Sequence, residues 1–295
     1  MINKRFDLVS KYNELKRPLL LDGAMGTYLL EKKLQPDKYL WQSIHNIHNR
    51  KIVKSVYEEY IDAGADILTT NTFRTNPSAV KKSNLGTTNY DFVKQSVEIV
   101  HEVRRNLNLI IAGSNAPAED CYQKERNLSN LDLEYNHKKH IEMLWSSGVD
   151  FILNETFSHW DEIEITCKYC NENRIPFVMS LFFNEDLKLL SGEPLNEAVN
   201  FVSDFSPIAI GFNCIKVDTF KKYVDQFSIR TRFGFYFNCG LGDINDEQIT
   251  CGIDPNSYVK SIRSLINYNT LFIGSCCGSS PSHTSKIKEF LDEVY

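Results

Sequence analysis

No stretch of this sequence reaches the ~18 consecutive apolar residues that a membrane span needs, and the opening Met1–Asp7 lacks the apolar run of a secretory signal. The chain is therefore read as cytoplasmic, with no membrane partner. It also lacks a basic excess, since 33 Lys and Arg face 38 Asp and Glu for a net charge of −5. A polyanion wants clustered cations, so no nucleic-acid partner is expected. A full G-x-G-x-x-G phosphate turn is missing too; Asp22-Gly23-Ala24-Met25-Gly26 comes nearest, but neither its spacing nor its continuation fits, which argues against dinucleotide binding. There is no Pro- or Ser-rich linker, low-complexity tract or long internal repeat, so the chain reads as one domain, with 1–18 as an N-terminal helix or flap and 19–295 as the body.

Against these absences stand eight cysteines in a chain of 295 residues that is 42% hydrophobic and 24% charged. In a reducing compartment such cysteines stay thiols, which favours metal binding or nucleophilic chemistry over disulfides. Two of them close the run Leu271-Phe272-Ile273-Gly274-Ser275-Cys276-Cys277, where β-forming residues give way to a Ser/Pro segment that opens a helix. At a strand end both sulfurs can turn to one centre. Ile208–Cys214 is a second short apolar run that ends on a cysteine. Three thiolates at two strand ends suit a catalytic zinc, which takes three protein ligands and keeps one position open. The alternative is that all three are small buried hydrophobes.

From Leu19 onward, short apolar runs alternate with longer amphipathic ones, the pattern of parallel strands joined by helices. The expected strands are Leu19–Asp22, Asp66–Thr72, Leu109–Asn115, Phe151–Thr156, Pro176–Phe183, Ile208–Cys214, Phe233–Cys239 and Leu271–Cys276. Helices are expected at Arg50–Ala63, Tyr90–Asn106, Glu134–Ser147, Trp160–Asn173, Asn196–Asp204, Thr219–Gln226, Asn256–Tyr268 and Ser282–Tyr295. Eight such cycles predict an α/β fold, the (β/α)8 TIM barrel, which needs about 250 residues and gathers its active site at the carboxyl ends of the strands. Asp22, Thr72, Ser114, Asn115, Asn154, Glu155, Asn238 and Cys239 fall at those ends beside the three thiols.

Asp22 either binds a ligand, with Gly23 giving access to the backbone, or caps the next turn. Glu155 closes a buried strand and must meet a cation or hydrogen-bond donors, and a substrate ammonium would serve. Trp41 is placed in the core, with a ligand-cation contact as the alternative. Cys167 and Cys170 lie on an amphipathic helix without a second pair, and Cys121 and Cys251 in loops, so none is assigned a function. The pairs His45/His48 and His137/His140 are assigned to solvated helix faces.

The motifs Leu19–Thr27, Ala63–Phe73, Gly113–Pro117, Gly148–Thr156, Leu190–Leu195, Gly211–Cys214 and Gly274–His283, in this order, resemble the homocysteine S-methyltransferase family over nearly the whole chain. The resemblance implies a TIM barrel holding Zn2+ on Cys214, Cys276 and Cys277. It implies homocysteine bound by sulfur to the metal, with its amino-acid end at Asp22, Gly23 and Glu155 and Thr72 near the substrate. Methyl transfer from a sulfonium donor such as S-methylmethionine or S-adenosylmethionine is then expected, giving methionine. A betaine-type donor, a separate corrinoid partner and a zinc barrel without catalysis remain alternatives, and the oligomeric state is left open. Three features depart from the family pattern: the segment Gly113–Cys121 is looser than the family's third-strand motif, and two single positions differ. Cys239 stands in place of a small residue and is a candidate fourth ligand, and Gly278 replaces a larger residue.

Overall fold

The structure, a computed structural model, describes residues 5–241 and 250–295. The apolar runs pair in parallel as β1 (Leu19–Leu20), β2 (Ile67–Thr69), β3 (Ile110–Asn115), β4 (Phe151–Phe157), β5 (Phe177–Leu181), β6 (Ala209–Asn213) and β7 (Phe233–Phe237). A short antiparallel hairpin, β8 (Gly240–Leu241) and β9 (Thr250–Cys251), follows before the last barrel strand, β10 (Thr270–Ser275). β1 pairs with β10 through Leu19↔Phe272 and Leu20↔Ile273, and a parallel bridge Leu21↔Ile67 joins its other edge to β2. These two pairings close eight parallel strands into a single-domain TIM barrel. Among the described residues no helix is long and apolar enough to cross a membrane.

The strands are buried on both faces, as continuous apolar runs covered by helices must be. Alternation sorts them. Leu19, Ile67, Ile110, Ala112, Phe151, Leu153, Val178, Ala209 and Phe272 pack inside the barrel, whereas Leu20, Leu68, Ile111, Ile152, Met179, Ile210 and Ile273 pack against the helices. In β7 the three phenylalanines, Phe233, Phe235 and Phe237, turn outward onto Phe220. Leu8, in the helix Leu8–Leu15, joins the interior cluster, so this helix closes the amino-terminal end of the barrel.

Two buried ion pairs hold that end. Arg17 meets Asp66 at 2.7 Å and Arg104 meets Asp150 at 2.8 Å. Each aspartate directly precedes a strand, and each accepts a backbone N–H from the preceding strand's segment, of Leu20 at 2.8 Å and of Ile111 at 2.7 Å. The carboxylates thus stitch neighbouring strands before the regular ladder begins.

Most strands stop short of the expected apolar runs, because their last residues leave the sheet to form the rim. Cys214 shows how: its φ of +56° ends β6 one residue earlier than expected. β4 instead runs one residue further, through a register shift between Asn154 and Phe157 with Thr156 at φ +65°. The expected helix Glu134–Ser147 starts earlier, as Asn130–Ser146, because Ser129 caps it by accepting the Asp132 N–H.

That helix also overturns the solvated reading of its histidines. His137 and His140 are fully buried; His137 Nε2 meets Glu162 Oε1 at 2.9 Å, and His140 bonds Asn115 Oδ1 and Thr75 Oγ1, both at 2.9 Å. Burial drives His140 down to about 3, so it is a neutral strut between β3 and the loop after β2. His45 is buried as well, bonded to the Gln35 carbonyl, and only His48 of the four is exposed. A polar stretch can still face the core when each buried polar atom finds a partner there.

Removing one partner of a buried ion pair strands the other charge. Arg104→Ala is therefore expected to destabilise the fold by roughly 3–5 kcal/mol, while Arg104→Met with Asp150→Asn, which removes both charges and keeps an acceptor for the backbone N–H groups, loses less. Urea midpoints of the two variants check this, and equal losses would refute the pairing argument.

Candidate metal centre and substrate cavity

At the carboxyl rim the end of β6 and the end of β10 bring three sulfurs together. The Sγ atoms of Cys214, Cys276 and Cys277 lie within 4.8 Å of one another, and among the described residues no other set of three His, Cys, Asp or Glu does so. Backbone bonds fix their carriers: Cys276 N–H donates to the Phe237 carbonyl at 2.8 Å, and the Cys277 carbonyl accepts the Cys239 N–H at 2.8 Å. Cys214 and Cys276 stand as a joined pair with Cα atoms 5.8 Å apart, and Cys277 remains a thiol. Three soft donors with an open side fit a thiophilic metal, and burial pushes the Cys277 thiol up to about 11, so it would be protonated without a cation beside it.

Asn213 supports this centre. Its amide uses every hydrogen-bonding position, accepting the Thr156 N–H at 3.0 Å and the Ser180 hydroxyl at 2.7 Å, and donating to Thr156 Oγ1 at 2.8 Å and Cys214 Sγ at 3.4 Å. Cys239 stays apart from it. This thiol is buried, with its sulfur against the Phe237 carbonyl at 3.8 Å, and belongs neither to the triad nor to the cavity wall, so the fourth-ligand expectation is not met. Gly278 has φ +79°, and a Cβ there would lie 2.7 Å from Gly240, which explains why no larger residue stands there.

Beside the sulfurs opens a cavity of about 690 Å³, lined by Asp22, Gly23 and Glu155 among others. Asp22 accepts the Thr69 N–H at 2.8 Å, yet burial, with the nearby Glu155 charge adding to it, pushes its carboxyl up to about 8. Glu155 accepts from the Ser114 hydroxyl and, at 3.3 Å, from the Tyr236 hydroxyl, and burial pushes it up to about 7. Two desolvated carboxyls of this kind suit a cationic ligand. Thr69 Oγ1 and Ser275 Oγ also line the cavity and are buried without a partner among the described residues.

Thr72 is not brought to the cavity. Its hydroxyl turns into the wall, donating to the Ser114 carbonyl at 2.7 Å, so it braces the segment that carries Ser114. Trp41 is the reverse case: it is half-buried at the mouth, not in the core, edge-on to Phe73 at 6.2 Å. Its backbone takes φ +46°, ψ −129°, an arrangement a bulky residue adopts only where the surroundings impose it. Gly26 provides the seat, since a Cβ there would come within 2.1 Å of the indole. Tyr236 was missed by the sequence reading, although alternation along Phe233–Phe237 with outward phenylalanines marks it as inward-facing.

The fold and site define a TIM-barrel enzyme with a three-cysteine centre beside a carboxylate-lined cavity. A sequence profile of the homocysteine S-methyltransferase family matches residues 19–291, and the chain belongs to that family. It is 25% identical to the homocysteine S-methyltransferase of Escherichia coli strain K12 over 92% of this chain and 94% of that protein. Homocysteine S-methyltransferase 1 of Arabidopsis thaliana is 20% identical over 92% and 93%. In fold, the chain resembles the metallated form of the Escherichia coli homocysteine methyltransferase MmuM, with a TM-score of 0.79, 21% identity and coverage of 96% and 100%. The oxidized form of the same protein gives 0.79 at 20% identity, with coverage of 97% and 100%.

The raised carboxyls set a pH dependence with a definite sign. Between their ordinary values of 3.8 and 4.5 and folded values of about 8 and 7, the folded chain holds protons that the unfolded chain has released. Stability should therefore fall as pH rises through that window. The phenols of Tyr57, Tyr60 and Tyr236 and the Cys277 thiol adjoin these carboxyls, and burial raises all of them, so they stay neutral across it. Urea midpoints of the ligand-free protein at pH 5 and pH 8 should differ less in Glu155→Gln than in the parent; an identical slope would remove this assignment.

Proposed function

We propose that this protein moves a methyl group from a sulfonium donor to the sulfur of homocysteine, giving methionine, at a zinc ion held by Cys214, Cys276 and Cys277. The single observation that carries the reading is the meeting of three cysteine sulfurs within 4.8 Å at the mouth of a cavity with two buried carboxyls. Zinc bound there would lower the pKa of a coordinated thiol, so that the acceptor sulfur is a thiolate at neutral pH.

The chain's own groups supply the rest. Asp22 and Glu155 bind the homocysteine ammonium, whose charge restores ionisation to carboxyls that burial keeps protonated. Ser114 and Tyr236 aim Glu155 by hydrogen bonds. Thr69 and Ser275 offer unpaired hydroxyls to the polar end of the ligand. Trp41, Phe73 and Tyr122 give the same cavity aromatic faces that suit the donor cation. The acceptor sulfur's lone pair forms the new S–CH3 bond as the donor's CH3–S+ bond breaks. The bonding pair stays on the donor sulfur, which departs as a neutral thioether, and the thiol proton passes to solvent. Alignment of acceptor and donor supplies much of the rate.

The reading predicts methionine from homocysteine and S-methylmethionine with purified, reduced, zinc-loaded protein and nothing else. Cys276→Ser should lose bound zinc, measured by elemental analysis, and at least 100-fold in rate, on the order of the loss when a group needed for nucleophile activation is removed. Full activity in this variant, or turnover only after a corrinoid protein is added, would sink the reading.

A further inference from the structure

The cavity carries its charges unevenly. At the sulfur end stand the two carboxyls; elsewhere on its wall stands Arg74, in the loop after β2. The guanidinium lies 5.4 Å from the Phe73 ring centroid, and one of its N–H groups donates to the Glu119 carbonyl. It has no carboxylate partner among the described residues. In that it differs from Arg17, Arg104 and Arg126, each of which faces an aspartate within 2.8 Å.

The acidic groups that share this wall are otherwise occupied. The Asp37 carboxylate accepts the N–H groups of Tyr39 and Leu40, both at 2.8 Å. Glu119 accepts those of Asn127 and Leu128, at 2.8 and 3.2 Å, and Asp120 accepts that of Tyr122 at 2.9 Å. The neighbouring cations Lys38 and Lys82 are exposed, whereas Arg74 is half-buried. A guanidinium has five N–H donors in a rigid fork suited to a carboxylate, and most of these are left for a ligand.

Resting on the proposed methyl transfer, we propose that Arg74 anchors the carboxylate of the methyl donor and so sets the preference of this cavity for carboxylate-bearing over simple sulfonium cations. Charge complementarity favours such a pairing. The group being transferred sits on a positive sulfur, and a half-buried cation in the same cavity repels a donor that brings positive charge alone. A carboxylate at the donor's far end turns that repulsion into a charge-assisted, bidentate contact. The same charge pattern separates the two substrates: the ammonium of homocysteine belongs with Asp22 and Glu155, and the carboxylate of the donor belongs with Arg74.

The test uses zinc-loaded protein with saturating homocysteine and three donors. S-methylmethionine carries a carboxylate and an ammonium, dimethylsulfoniopropionate a carboxylate alone, and trimethylsulfonium neither. Arg74→Met should lower kcat/KM roughly 10- to 100-fold for both carboxylate donors, mostly through KM, and so collapse their advantage over trimethylsulfonium. Arg74→Lys should recover part of that advantage, since it restores charge without the fork. If Arg74 merely braces the Glu119 loop, all three donors fall together and the proposal is wrong. It is equally wrong if the native protein shows no preference for carboxylate donors. Calorimetric titration of S-methylmethionine reads the same contact without turnover. Binding weakened by Arg74→Met in a protein that transfers no methyl would keep the carboxylate site while removing the reaction, and unchanged binding would remove the site.

Discussion

The site depends on closure of the sheet by its shortest strand. β1 has two residues, yet it holds β10 on one edge and, through Leu21↔Ile67, reaches β2 on the other. Closure brings the residue after Leu21, which is Asp22, to the same rim as Cys276 and Cys277. In an open sheet the first and last strands would be edges far apart. Asp66 reinforces the junction from below, accepting the Leu20 N–H while it pairs with Arg17. A carboxylate at the bottom of the barrel thus helps to set a distance at the top.

Dryness is the second constraint. Burial raises Asp22, Glu155 and the Cys277 thiol together, toward their neutral forms. A site in this condition gains most from ligands that bring the missing charges, a divalent cation for the sulfurs and an ammonium for the carboxyls. Desolvated groups also act on such charges far more strongly than they would in water. The cost of holding them is spread over many hydrogen bonds, and Asn213 shows the pattern: one buried amide joins β4, β5 and β6 and leaves none of its own polar atoms unpaired. The same residue ties the backbone beside Glu155 to a sulfur of the three-cysteine cluster.

How much of this was legible varies with the range of the interaction. The eight strand-helix cycles were readable because burial on both faces of a parallel sheet writes a continuous apolar run into the chain. Strand ends were less so. Cys214 leaves β6 through a left-handed residue, and no local propensity marks where that happens. Thr72 sits at an expected strand end, yet a strand end fixes only height in the barrel; the direction of its hydroxyl was decided by the Ser114 carbonyl across the neighbouring strand. His137 and His140 read as solvated because their partners, Glu162, Asn115 and Thr75, lie 25 or more residues away in the chain. Trp41 was misplaced because its seat is Gly26, in the helix Met25–Glu31, a contact between segments that local pattern does not link.

By itself the sequence determined the barrel, the chemistry of three thiols and two carboxylates, and the rim on which they meet, because periodicity and strand-end position are local properties of a chain. Tertiary structure decided which groups face the cavity, which are struts, and which remain unpaired. Asp22 and Glu155 become proton-holding carboxyls, Cys239 becomes packing, and Arg74 becomes a cation without a carboxylate partner among the described residues only once distant segments surround them. Desolvation and hydrogen bonding act through space, and a residue's charge state is therefore set by neighbours that its position in the chain does not name.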